Sequence, residues 1–334
     1  MQDSNHEILE INKNICQQLK DPNCKTPSRY FERVEDALVS NHEKIPRVIS
    51  LTKREIKEIF CELDITHLQL DKTRINTFPA CKKNSRLTKT LKWVHLPGNY
   101  LTDLPKAFAN FEQIDHLNLN NNKFTEIPEE IFTLENLKTL YFSRNKIETI
   151  QDSIKNLTHL TTLNMDENHL EKLPDIDLLP KLKYLNVNEN KIKTFPKISR
   201  SSNLRSLSLD SNRLEEIPSR IKNFTELREL SLSNNRINSF ANDAFDHPFP
   251  DVVYPIEFLN LSGNKLKTLP DSFGNLIRLK YLNINFNPIS DFSEEILKLY
   301  ALEKIEVLMV PFSNEQINHI NRALRKKPNL KIIS

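Results

Sequence analysis

Three histidines, His67, His95 and His116, fall near the only tryptophan, Trp93, and near Tyr141. Imidazoles grouped in this way raise the question of a metal site, but no cysteine or carboxylate completes an obvious ligand set around them. The four cysteines, Cys16, Cys24, Cys61 and Cys81, all precede residue 82. Their spacing matches neither a CxxC metal clip nor a compact disulfide-rich cap, so the expectation is small buried or idle thiols in a reduced, intracellular chain. Only Gly98, Gly263 and Gly274 occur, too few for a dinucleotide fingerprint or a phosphate-cradling loop. Neither a GxSxG elbow nor an HExxH pair exists. No cofactor and no catalysis are therefore expected, and recognition is the chemistry left to these side chains.

The elements that position them repeat. The phrase LxxLxLxxNxL begins at Ile65, Leu91, Ile114, Leu137, Leu160, Leu182, Leu204, Leu227, Ile256 and Leu279, with starts 22 to 29 residues apart and most often 23. A fixed period in this range predicts a solenoid of stacked supersecondary units. Within Leu137–Ile150, Leu140 and Phe142 alternate with Thr139 and Tyr141, the period of a strand with one buried face. Asn145 follows where the chain must turn, and its amide can serve backbone groups that the turn leaves unpaired. The same position holds Asn in nine of the repeats and Thr73 in the first. The return half reads IPxxIxxL, as in Ile127–Leu134. Proline there opens a short extended or single-turn segment that points its next apolar residues inward.

Both ends depart from the pattern, as an array whose end repeats expose apolar faces requires. Residues 1–64 carry helical patterns with capping boxes at Ser4 and Thr52 and a Pro27 start, which predict a helical N-terminal cap or, alternatively, a separate docking module. Residues 65–334 form the repeat domain of about eleven repeats. Its C-terminal cap, 302–334, comprises a strand around Ile305, a capping box Ser313–Gln316, a helix and a closing strand at Leu330, Ile332 and Ile333. The repeat from Leu227 to Ile256 is long, and its excess, 239–255, predicts a proline-stiffened surface loop or a recognition element.

With 334 residues, 38% hydrophobic and 27% charged, the chain can bury a core distributed along an axis. A net charge of +3 is too weak to suggest nucleic acid. Neither a basic leader with an apolar run nor a stretch of about 18 apolar residues is present, so no membrane insertion and a cytoplasmic location are expected.

These repeats resemble the leucine-rich repeat family, in the 23-residue LPxxIxxLxxLxxLxLxxNxL form found in scribble- and erbin-like scaffolds and many bacterial proteins. The resemblance covers roughly residues 65–334. It implies an α/β horseshoe with a concave parallel sheet, short irregular or helical segments on the convex side, and recognition on the concave sheet. It fixes no partner.

Strand residues between the core leucines face outward, so the partner surface reads in columns. One column contains His67, Trp93, His116, Tyr184, Glu229, Phe258, Tyr281 and Lys304, and the next contains His95 and Tyr141. Exposed aromatics anchor interfaces, so the candidate partner-binding residues are Trp93, His95, His116, Tyr141, Tyr184, Glu229, Phe258, Tyr281 and Phe286. A third column is basic, Arg74, Lys123, Lys146, Lys191, Arg213, Arg236 and Lys265 with His169, and suggests a solvated rim or an anion stripe. The expected function is a non-catalytic, monomeric scaffold for a protein or peptide partner. The alternative is a regulatory or inhibitory recognition subunit of an enzyme, including a bacterial effector translocated into a host.

Overall fold

The computed structural model describes residues 60–198, 202–246, 253–290, 294–313, 315–316, 318 and 330–333. These residues belong to two compact units, one reaching to Ile147 with Ser153–Leu160, the other made of Glu148–Asp152 and everything from Thr161 onward. In the first unit β1 (His67–Gln69), β2 (Trp93–His95), β3 (His116–Asn118) and β4 (Thr139–Tyr141) pair in order, all parallel and in register. The second unit contains β5 (Thr162–Asn164), β6 (Tyr184–Asn186), β7 (Ser206–Ser208), β8 (Glu216–Ile217), β9 (Glu229–Ser231), β10 (Ser239–Phe240), β11 (Phe258–Asn260), β12 (Tyr281–Asn283), β13 (Lys304–Glu306) and β14 (Lys331–Ile333). Eight of these pair as a parallel sheet in the order β5-β6-β7-β9-β11-β12-β13-β14, while β8 and β10 form a separate two-stranded ribbon.

Each strand turns its central apolar residue inward. Leu68, Val94, Leu117 and Leu140 are buried in the first unit, and Leu163, Leu185, Leu207, Leu230, Leu259, Leu282 and Ile305 in the second. A third layer comes from the return segments. Proline precedes a short 3-10 helix at Lys106–Asn110, Glu129–Thr133, Ser219–Asn223 and Asp271–Asn275, and each of these buries its central Phe or Ile. Proline suits that place because the first amide of a helical turn has no partner to lose. The 26-residue first repeat fits a true α-helical turn instead, α1 (Arg86–Thr90).

The ladder asparagines do more than close their own turns. Asn122 donates through Nδ2 to Leu119 O in its own repeat and to Leu96 O in the preceding one, both at 3.0 Å, while its Oδ1 accepts from the Leu101 amide at 3.1 Å. Asn190, Asn212, Asn235, Asn264 and Asn287 repeat this bridge. Buried polar groups are satisfied in this way, and adjacent repeats are locked at a fixed offset. The residue just before each ladder position lies in left-handed backbone: Lys72, Gly98, Asn121, Arg144, Glu167, Glu189, Ser211, Asn234, Gly263 and Phe286, followed by Met309 after β13. At Gly263 φ is +65°, backbone that glycine adopts without the cost a Cβ brings.

Three sequence expectations need revision. Cys61 and Cys81 are not idle thiols: they form a disulfide with Cα atoms 5.4 Å apart. Residues twenty apart in sequence are brought together because the return of the first repeat passes beside the residues that precede β1, a proximity that linear spacing does not reveal. The long repeat is not simply a surface loop. β10 adds to β8, Ala244 and Phe245 are buried, and Phe245 meets Phe240, Tyr254 and Phe273 within 6.3 Å. The extra length lets Phe245 and Tyr254 fill the core, and 247–252 lie outside the described residues. Finally, Thr139, which alternation assigns outward, is buried at 8% exposure.

The C-terminal capping box is formed: the Ser313 amide donates to Gln316 Oε1 and the Gln316 amide to Ser313 Oγ. Residues 315, 316 and 318 are helical and β14 closes on β13. The helical patterns placed before residue 60, with Cys16 and Cys24, lie outside the described residues.

Candidate functional site

In the first unit the register sets His67, Trp93 and His116 side by side on β1, β2 and β3. The Trp93 ring lies 5.2 Å from His67 and 4.5 Å from His116, centroid to centroid, and remains 46% exposed. A tryptophan between two imidazoles makes a shelf with an apolar centre and polar edges, the arrangement suited to a partner's planar or apolar group. The imidazoles are oriented from behind: His116 Nδ1 is 2.7 Å from Asp115, whose other oxygen takes a 3.3 Å bond from Lys138, and His95 Nδ1 is 3.1 Å from Asp71. Partial burial raises the Asp115 carboxyl, but hydrogen bonds from His116 and Lys138 outweigh it and hold the group below the usual carboxylate range. Tyr141 is half-buried on β4, beside Asn118. Among the described residues no cluster of three or more His, Cys, Asp or Glu is arranged to hold a metal, and Trp93 stands between two of the candidate imidazoles.

In the second unit Phe258 and Tyr281 stack with centroids 4.6 Å apart and ring planes 4° from parallel. Lys304 extends the row from β13, its Nζ 5.1 Å from the Tyr281 ring centre and 2.6 Å from Glu306. Glu306 also accepts from Asn283 and Asn285, both at 3.1 Å. The Lys304 bond holds the Glu306 carboxyl below its ordinary value, while burial and then the bond to Glu306 push the Tyr281 phenol up. Tyr184 on β6 is 47% exposed and Glu229 on β9 is exposed. Phe286, at the turn after β12, is 55% exposed. Thus the structure brings Trp93 together with His116, and Phe258 with Tyr281 and, in register beside it on β9, Glu229, but leaves Tyr184 apart from both groups. Met309, 72% exposed at the turn after β13, and Leu308 beside it were missed, because the eleventh repeat lacks the Asn that marks the turn.

The basic column lies at the rim. His169 and Lys191 line an open groove with Glu148, Glu171, Lys172 and Lys193, and Lys193 pairs with Glu171 at 3.3 Å. Mixed charge here argues for a solvated edge. Among the described residues no helix is long and apolar enough to cross a membrane.

Residues 112–170 and 202–248 match the leucine-rich repeat family, and 256–308 match the leucine-rich repeat (two copies) description. The chain is a leucine-rich repeat protein. It is similar to a solved leucine-rich repeat protein of Leptospira interrogans, with 27% identity, 78% of this chain and 75% of that one covered, and a TM-score of 0.56. An internalin, InlF of Listeria monocytogenes, is 17% identical and covers 98% of this chain and 97% of its own, with a TM-score of 0.54. A chain in the octameric complex of Latrophilin 3, Unc5D and FLRT2 (LRR) is 19% identical over 81% of this chain and 90% of its own, with a TM-score of 0.61. A comparison with curated protein sequences gives no match.

Proposed function

We propose that this chain is a non-catalytic interaction module whose outward strand faces hold a protein or peptide partner. The carrying observation is the Trp93 shelf, where an exposed indole lies between His67 and His116 on adjacent strands. Desolvating such a surface against a partner releases much apolar area, and tryptophan and tyrosine are the residues that dominate interface energetics. A chain of similar fold occurs in the octameric complex of Latrophilin 3, Unc5D and FLRT2.

A regulatory or inhibitory subunit of an enzyme, or an effector acting on host proteins, is the second form of this function. In either form the Cys61–Cys81 disulfide favours an oxidising compartment over the cytoplasm, since disulfides persist where thiols are not kept reduced.

Affinity capture with wild type beside Trp93→Ala/Tyr141→Ala tests the reading. Capture of a protein by wild type and its loss from the double variant supports it; equal capture by both removes the Trp93 shelf from the interface. Assay of a captured enzyme with and without this chain separates scaffold from inhibitor.

A further inference from the structure

The row of left-handed turns in the second unit changes chemistry along its length. In chain order it holds Glu167, Glu189, Ser211, Asn234, Gly263, Phe286 and Met309. Asparagine and glycine tolerate this backbone; a phenylalanine bears a conformational cost there. Phe286 and Met309 are also the most water-exposed apolar side chains of the row, so burial within the chain does not repay that cost. The two turns are neighbours, because the Phe286 amide donates to Leu308 O at 2.9 Å. Leu308 is exposed as well, and the Phe258/Tyr281 stack lies on the adjoining strands. The result is an apolar patch at one end of the row.

The other end is acidic. Glu189 is exposed, and among the described residues it forms no ion pair. Asp210 adjoins it, because the Glu189 amide donates to Asp210 O at 2.9 Å, and the Asp210 side chain accepts from Ser231 Oγ and the Ser233 amide.

We infer that this row takes an extended peptide segment carrying Lys or Arg at one end and a bulky apolar side chain at the other, the cation over Glu189 and Asp210 and the apolar group against Phe286 and Met309. Charge complementarity fixes the occupant: an acidic segment or a nucleic acid would be repelled at one end, and a wholly basic one would leave the apolar end in water. From β6 to β12 there are four strand steps, roughly 19 Å at ~4.8 Å each, which about six extended residues span at ~3.3 Å per residue. The Lys191, Arg213 and Arg236 side chains follow the ladder asparagines and place opposite charge nearby, so the attraction is confined to the carboxylates and weakens with salt. This inference rests on the interaction reading above and names the partner's chemistry for the second unit.

The test uses fluorescein-labelled peptides of about nine residues, with Lys-Arg-Lys at one end, Leu-Trp-Leu at the other and a Ser-Gly-Ser spacer, in both chain directions. Control peptides replace the basic end by Glu or the apolar end by Ser, and anisotropy is measured with the full chain. In at least one direction the basic-apolar peptide binds about tenfold more tightly than either control. Glu189→Gln/Asp210→Asn abolishes its advantage over the Glu peptide, Phe286→Ser/Met309→Ser abolishes its advantage over the Ser peptide, and Trp93→Ala changes neither. Equal binding of all peptides, or indifference to both double variants, overturns the inference. If that happens while a captured protein still depends on Trp93, the interaction reading survives; if capture also fails, both fall.

Discussion

The side-chain oxygen of Asn235 accepts a 3.0 Å hydrogen bond from the backbone amide of Leu214, one repeat earlier, while its Nδ2 donates to Leu209 O at 2.8 Å and Leu232 O at 3.1 Å. One buried amide thus satisfies backbone groups of two repeats. Asn235→Ala leaves these unpaired and lowers the unfolding free energy by roughly 2–3 kcal/mol in urea titration. Asn156→Ala, at an exposed position, changes it by less than about 0.5 kcal/mol. Similar losses for the two would remove the bridging role.

The disulfide makes stability depend on redox state. Closing the 20-residue separation between Cys61 and Cys81 restricts the unfolded chain, a contribution of about 2–4 kcal/mol. A reductant therefore lowers the melting temperature of wild type. Cys61→Ser/Cys81→Ser melts at a lower temperature from the outset, and reductant changes it less than wild type.

Phe286 couples stability to recognition with opposite signs. Its φ of 55° suits asparagine better, so Phe286→Asn raises stability by about 1 kcal/mol in calorimetry. The same substitution weakens binding of the basic-apolar peptide. A destabilised Phe286→Asn protein would show that the phenyl ring packs to structural advantage.

Glu306 supplies a pH dependence. Its hydrogen bond to Lys304 holds the folded carboxyl below its ordinary value, so the folded state binds that proton less readily than the unfolded chain. The stabilisation is complete above the unfolded value and disappears as pH falls through the lower folded one. Glu306→Gln flattens this part of the acid limb when thermal melts are compared from neutral pH downward. An acid limb identical to wild type would assign it to other carboxyls.

The spacing of Leu137, Leu140, Phe142 and Asn145 carries β4 and its turn in full, because a strand's two-residue period and a buried amide are both local requirements. Most of the outward column was legible for the same reason: Trp93 and Tyr184 are exposed where alternation places them, whereas Thr139 is buried and Phe286 owes its exposure to the turn after β12. Met309 escaped because Val310 stands where the marker Asn would be. Tyr184 shows the limit of reading columns: its exposure follows from alternation, but membership of a common site does not.

By itself, then, the sequence determined the repeat, its strand register, the apolar layers and the asparagine ladder, since each follows from interactions within a repeat or with an identical neighbour. Only the tertiary structure decided the Cys61–Cys81 bond, the burial of Phe245 and Tyr254 by the long repeat, and the ring geometry that Trp93 makes with His116 and Phe258 with Tyr281. Those depend on which side chains from different repeats come within a few ångströms, and that is set by how successive turns stack.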